Sequence, residues 1–152
     1  MGDLLGSSKK AQSIVAEMDQ RISKLNTAFS KQVTAAFYYS NSYTAGQGSL
    51  ISDIARHAGV SNVADDLGVI GMAPISLEHL LLAKPALIVA NENREKSPAL
   101  AQQNFAHPAF QRVKANAQTV QIDGRLTACG GPWVIDAVEM LNAAGHIAGA
   151  RS

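Results

Sequence analysis

Two loops hold the residues whose types and spacing could do chemistry. The first runs Ser40-Asn41-Ser42-Tyr43-Thr44-Ala45-Gly46-Gln47-Gly48-Ser49, directly after Tyr38 and Tyr39. Tyrosines and glycines ahead of a helix N-terminus offer flat apolar rings, phenol hydroxyls and backbone amides open to a ligand. The same residues also suit a tight turn over tyrosines packed in a core. Gly46 and Gly48 alone lack a phosphate-binding lysine and do not complete a dinucleotide fingerprint, which argues against a nucleotide. The second loop, Arg125-Leu126-Thr127-Ala128-Cys129-Gly130-Gly131-Pro132-Trp133, presents a cation, a hydroxyl, a thiol and an indole. Arg125 could pair with a ligand carboxylate, and Trp133 could stack on a flat ligand, although packing beneath the next helix is the favoured reading for the indole.

Catalysis finds less support. A nucleophilic Cys129 needs a base, and His57, His79, His107 and His146 fall on helices or turns far from it in sequence. None of the histidines stands at a metal-ligand spacing, and they read as surface or capping residues. Asp53, Asp65 and Asp66 read as a solvated face or helix caps.

The elements that must position these loops follow from hydrophobic periodicity. Ala11, Ile14, Val15, Met18, Ile22 and Leu25 recur at helical spacing, with Ser7 or Ser8 as cap and Asn26-Thr27 as the end. Gln32 to Tyr39 reads as a strand. A short helix carries Leu50, Ile51, Ile54, Ala55 and Ala58, closed by Gly59 at a left-handed position. Ser76 caps a helix with Leu77, Leu80 and Leu81 inward, stopped before Lys84-Pro85, and Ala86 to Ala90 reads as a buried central strand. Asn91 to Lys96 is a polar loop, and Ser97-Pro98 starts a helix with Leu100, Ala101 and Phe105. A turn or helix follows His107-Pro108. Thr119 to Ile122 alternates like a strand, Asp123-Gly124 turns, and Pro132 opens a last helix through Val134, Ile135, Val138 and Leu141.

The order α-β-α-α-β-α-β-α predicts an α/β fold, a three-layer α/β/α lobe with a mostly parallel central sheet, preceded by a long amphipathic N-terminal helix. Ligands of such sheets sit beyond the strands' C-terminal ends, which points to the loops after Tyr39, Ala90 and Ile122.

Composition sets outer bounds. At 152 residues, 47% hydrophobic and 16% charged, the chain can bury one ordinary core and predicts one globular domain. A net charge of +1 supplies no field to recruit nucleic acid or an anionic membrane. No apolar run approaches the roughly 18 residues of a membrane span. In Met1 to Lys10 the lysines follow a short apolar stretch, the reverse of a secretory signal. The single cysteine excludes an internal disulfide and a multi-cysteine metal site.

Taken in order, several segments resemble the C-terminal lobe of periplasmic substrate-binding proteins of iron-siderophore, haem and cobalamin ABC importers, whose two lobes are joined by one long helix. Leu5-Gly6, Lys10-Ala11 and the run to Leu25 resemble the start of that helix. Ala45 to Asp53 with Ala58-Gly59-Val60-Ser61-Asn62-Val63 is similar to the family's Gly-Ser loop, helix and turn. The most specific match is Ile75 to Val89, which resembles a hydrophobic-S-x-E-x-L pattern leading to P-D-hydrophobic-I, with Ala86 where the family usually has Asp. His107-Pro108-Ala109-Phe110 and Gly131 to Val138 are similar to its closing segments.

The resemblance implies that residues 1–27 are the lobe-spanning helix and residues 28–152 the C-terminal lobe, with the N-terminal lobe absent. It implies a binding protein rather than an enzyme, with no intrinsic cofactor and no resident metal. The ligand would be a ferric siderophore, haem or cobalamin, delivered in the periplasm to an inner-membrane ABC permease. By position, ligand contacts fall to Tyr39, Tyr43, Gly46, Gly48, Arg125, Thr127 and Gly130, with Tyr43 and Arg125 foremost. Permease docking in this family uses an exposed carboxylate, for which Asp53 is only a candidate. With one cleft wall, affinity should be weak. Two other readings stay open: a small α/β enzyme using Cys129 beside a helix N-terminus, and a module that homodimerises through the bared flank of its first helix.

Overall fold

A computed structural model describes residues 6–90 and 103–151. The first helix, α1 (Ser8–Ser23), is followed by β1 (Thr34–Tyr38), a 3-10 turn (Ser40–Ser42), β2 (Tyr43–Ala45), α2 (Leu50–Ala58), β3 (Ser61–Asn62), α3 (Val63–Asp66) and β4 (Met72–Pro74). Then come α4 (Leu77–Ala83), β5 (Leu87–Ala90), α5 (Gln103–Ala106), α6 (Pro108–Asn116), β6 (Gln118–Val120), a 3-10 turn (Gly124–Leu126) and α7 (Val134–Arg151). The expected polar loop over Asn91 to Lys96 and the helix start at Ser97-Pro98 lie outside the described residues; Phe105 is buried in α5.

The main sheet has the order β3-β1-β5-β6, parallel throughout, with Ala35 to Tyr38 beside Leu87 to Ala90 and Leu87 to Val89 beside Gln118 to Val120. Its alternation divides the core in two. Ala35, Phe37, Leu87, Val89 and Val120 face α2 and α7, where Ile54, Ile135 and Leu141 are almost fully buried. Ala36, Tyr38, Ile88 and Ala90 face the other way, onto Leu80 of α4, Phe105 of α5 and Phe110 of α6. The fold is therefore the three-layer α/β/α arrangement with a mostly parallel sheet. Buried on both faces, β5 must be apolar at every position, as its Leu-Ile-Val-Ala sequence is.

Capping chemistry fixes several helix starts. The Ser49 hydroxyl accepts from the Ser52 N–H, Asn62 from Ala64, Ser76 from His79, and the His107 ring from Ala109. Gly59 ends α2 at φ 80°, as its position predicts.

Four details differ from expectation. A two-stranded antiparallel ribbon, β2 with β4, joins Tyr43 to Pro74 and Ala45 to Met72. Strands this short carry no periodic signal, and their pairing is non-local. Ser7 makes no side-chain cap hydrogen bond, and α1 buries none of its residues; Ile22 and Leu25 rest on the core, while Val15 is 56% exposed. Trp133 is 45% exposed, so it does not pack beneath α7 as expected, because the helix begins only at Val134 and the indole folds back over Gly131. Asp65, expected at the surface, is half-buried and accepts the Ser52 hydroxyl at 2.6 Å and the Asn62 amide at 3.2 Å. Among the described residues no helix is long and apolar enough to cross a membrane.

Candidate functional site

Because β1, β5 and β6 run parallel, the chain leaves all three at the same end of the sheet. Two hollows open there and share Ile122 and Gly124. The inner one, about 20 Å³, lies where Tyr39, Ile51 and Val89 meet Thr127. The outer one, about 710 Å³ and open to solvent, extends from Ala90 past Gln121, Asp123, Arg125, Leu126 and Met140. The structure thus brings Tyr39, Arg125 and Thr127 together around one 3-10 turn.

Each side chain has its own electrostatic setting. Tyr39 is half-buried, and burial pushes its phenol up to about 12. It therefore enters the hollow at neutral pH as an uncharged hydroxyl able to donate or accept, and burial opposes a phenolate. Arg125 is not the free cation its sequence position suggests. Its Nη2 donates to Asp123 Oδ2 at 2.7 Å and its Nε reaches both carboxylate oxygens at 3.1 and 3.2 Å. The Asp123 carboxylate also accepts from the Arg125 backbone N–H at 2.9 Å. These contacts hold the Asp123 carboxyl down to about 2, mainly through the guanidinium hydrogen bond, and raise the Arg125 guanidinium. The Arg125 side chain remains 89% exposed, so it presents a pre-oriented, partly neutralised guanidinium at the rim.

The remaining predicted residues stand apart from the two hollows. Tyr43 lies at the start of the ribbon, 41% exposed, and its carbonyl accepts from the Tyr39 N–H at 2.8 Å. Gly48, at φ +76°, and Gly130 are exposed with open space beside them. Gly46 is buried: its N–H donates to the Gly71 carbonyl at 2.8 Å, and a Cβ there would lie 2.8 Å from the Val69 carbonyl carbon and closer still to its oxygen. Close approach of two backbones accounts for that glycine. Tyr38, grouped by sequence with the other two tyrosines, is fully buried, stacked on Phe110 at 5.0 Å with its hydroxyl donating to Ser42. Alternation along β1 sends it to the opposite face from Phe37 and away from the hollow.

Sequence reasoning missed Asp123, Gln121 and Met140 as parts of this wall. Asp123 was legible in one respect: an acid two residues before an arginine, across a glycine turn, is placed to cap the turn and meet the guanidinium. Elsewhere, Cys129 is exposed, and Asp53 is exposed and lies 3.1 Å from Arg56. The histidines have partners of their own: His57 meets Arg56, His79 meets Ser76, His107 caps α6 and His146 reaches the distant Asn26 carbonyl. Among the described residues no group of three or more His, Cys, Asp or Glu is arranged to hold a metal ion.

Comparison with known families then gives a match over residues 1–122 to the family described as periplasmic binding protein. The chain belongs to that family. No curated protein matches it. Among solved structures it is similar to the apo form of periplasmic heme-binding protein RhuT from Roseiflexus sp. RS-1, at 19% identity and TM-score 0.76, covering 97% of this chain and 60% of that one. A periplasmic heme-binding protein from Pseudomonas aeruginosa aligns at 21% identity and TM-score 0.73, covering 96% of this chain and 56% of that one. An ABC-type Fe3+-hydroxamate transport system from Saccharomonospora viridis aligns at 21% identity and TM-score 0.70, covering 94% and 51%. This periplasmic binding protein chain therefore spans at most three-fifths of the length of these structures. The family is one of binding proteins, and the neighbours are named for heme binding or Fe3+-hydroxamate transport.

Proposed function

We propose that this chain is a ligand-binding lobe, the C-terminal one of two, in an ABC importer's binding protein for an iron chelate, haem or cobalamin. In that reading residues 1–27 span the lobes and residues 28–152 form the lobe itself. The observation that carries the reading is the meeting of Tyr39, just after β1, with the β6 loop in a small hollow that adjoins an open one at the C-terminal end of a parallel sheet. Its chemistry suits a large, partly polar ligand. Tyr39 and Thr127 supply hydroxyls in the inner hollow, the Arg125–Asp123 pair stands at the rim of the outer one, Met140 adds an apolar contact there, and Tyr43, Gly48 and Gly130 are proposed to reach the ligand from outside the two hollows. Haem and Fe3+-hydroxamate appear in the names of the similar structures, which supports the ligand class. Cobalamin rests on the sequence resemblance, as do the permease and the periplasm as the working compartment for this chain.

One wall buries less of a ligand than two, so affinity of the isolated chain is expected to be weak. The test is a visible-absorbance titration of the 152-residue chain with haemin, cyanocobalamin and a ferric hydroxamate siderophore, alongside a Tyr43→Ala, Arg125→Ala double variant. The reading expects a saturable spectral change with one compound that the double variant weakens at least tenfold. A change the variant retains in full, or no saturable change with any of the three, overturns it.

The exposure of α1 supports a second reading, self-association through that helix. Light scattering that shows only monomer across a concentration series counts against it.

A further inference from the structure

The opposite end of the sheet carries a cavity that the ligand hollow does not explain. It measures about 360 Å³ and is lined by Leu81, Lys84, Pro85, Arg112, Val113 and Asn116. Lys84 and Pro85 precede β5, and Asn116 precedes β6, so the cavity lies at the strands' N-terminal ends, between α4 and α6. Its floor is apolar: Pro85 and Val113 are buried, and Leu81 is half-buried against the same core cluster as Val113. Its rim is cationic. Lys84 and Arg112 are both exposed, and among the described residues no carboxylate lines the cavity and neither cation pairs with an acid.

The backbone at Lys84 adds an independent observation. This residue ends α4 at φ 45°, ψ 57°, the left-handed region that glycine or asparagine usually fills, and it does so immediately before a proline. A β-carbon there is strained, and strain held at a residue lining a cavity points to use of its side chain. A cation on that corner and a guanidinium across the gap match one kind of occupant, an anion on an apolar body.

We propose that this cavity is a second ligand site, separate from the hollow, for a small anionic amphiphile: a carboxylate carried on a medium-length alkyl chain. The alkyl part covers Leu81, Pro85 and Val113, and the carboxylate accepts from Arg112 and Lys84.

The experiment is an NMR titration of the 15N-labelled 152-residue chain with sodium octanoate, with 1-octanol as the neutral probe of similar length. Saturable shifts confined to Leu81, Lys84, Arg112, Val113 and Asn116 are expected, with 1-octanol at least tenfold weaker. Arg112→Gln should weaken octanoate about tenfold, equal to about 1.4 kcal/mol. Lys84→Gly should weaken octanoate similarly while the thermal midpoint holds or rises, because glycine is at ease at this φ; that control separates lost binding from lost folding. Equal affinity for 1-octanol, shifts centred instead on Tyr39 and Arg125, or no saturable shift at all would overturn the proposal.

Discussion

The segments that follow β1 and β6 are built in opposite ways. The segment after β1 is tied down along its length. Asn62, 3% exposed, donates to the Ala45 carbonyl at 2.8 Å and to Asp65 at 3.2 Å, and caps α3 through the Ala64 N–H. Gly46 and Gln47 bond to Gly71 and Val69, and Ser49 closes the turn by bonding back to the Gly46 carbonyl at 2.6 Å. The segment after β6 is tied locally at its start, by the exposed Arg125–Asp123 pair and by the Leu126 and Thr127 N–H groups bonding back to the Asp123 and Gly124 carbonyls, and then runs through exposed Cys129 and Gly130 with open space beside Gly130. One loop is framework held in place by buried hydrogen bonds, and the other is a rim where residues can change without disturbing the core.

Substitutions can break the comparison at its strong end first. Gly46→Ala forces a methyl into the Val69 carbonyl and should cost about 3 kcal/mol, measured as a lowered urea midpoint with unchanged slope. Asn62→Ala strands the buried Ala45 carbonyl and removes a cap; about 2 kcal/mol is expected by the same measurement. Gly130→Ala, in the rim loop, should fall within about 0.5 kcal/mol of the parent. A Gly130→Ala variant as damaged as Gly46→Ala would erase the distinction between the loops.

A smaller effect concerns the tether of α1. Arg21 donates to Glu139 at 2.6 and 2.8 Å and to Asp136 at 2.6 Å, which joins an otherwise exposed helix to α7. The guanidinium holds the Glu139 carboxyl below its usual range, chiefly through the hydrogen bond. A carboxyl lowered on folding contributes stability above its unfolded pKa, here near 4.5, and loses it as pH falls through the folded value. Arg21→Ala should therefore speed amide exchange in α1 at pH 7 more than in α7. The difference in thermal midpoint between parent and variant should shrink as pH drops below about 4.5.

What the sequence made legible follows from range. The run Leu87 to Ala90, the helix closed by Gly59, the cap at Ser76 and the inward Leu80 are local signals, each readable within a turn or strand, and each stands as expected. The ribbon was not legible, because Tyr43 pairs with Pro74 through three-residue strands whose side chains show no alternation. Tyr38 and Tyr39 are neighbours with opposite fates, one in the core and one at the hollow, because alternation along the chain turns them to opposite faces of the sheet. Trp133 misled because large indoles are commonly well buried, yet this one lies just outside the helix it was expected to support. The position of the loops beyond the strands' C-terminal ends was legible through the parallel-sheet rule, while the pairing of Arg125 needed the turn geometry that folds Asp123 back onto it.

The smallest expected effect bears on that rim. An exposed Cys129, with the histidines engaged on other elements, is free to vary if the loop serves only to border a binding hollow. Cys129→Ser changes one atom at the surface, so stability should stay within about 0.5 kcal/mol and any ligand titration should superimpose on the parent's. Arg125→Ala, on the same loop, should leave stability nearly as untouched but release the Asp123 carboxyl from about 2 toward its ordinary 3.8, read by NMR titration of its side-chain carbon. If Cys129→Ser weakened binding as much as Arg125→Ala, the thiol would belong to the ligand surface, and the rim would be constrained by its chemistry as tightly as the framework loop is by its packing.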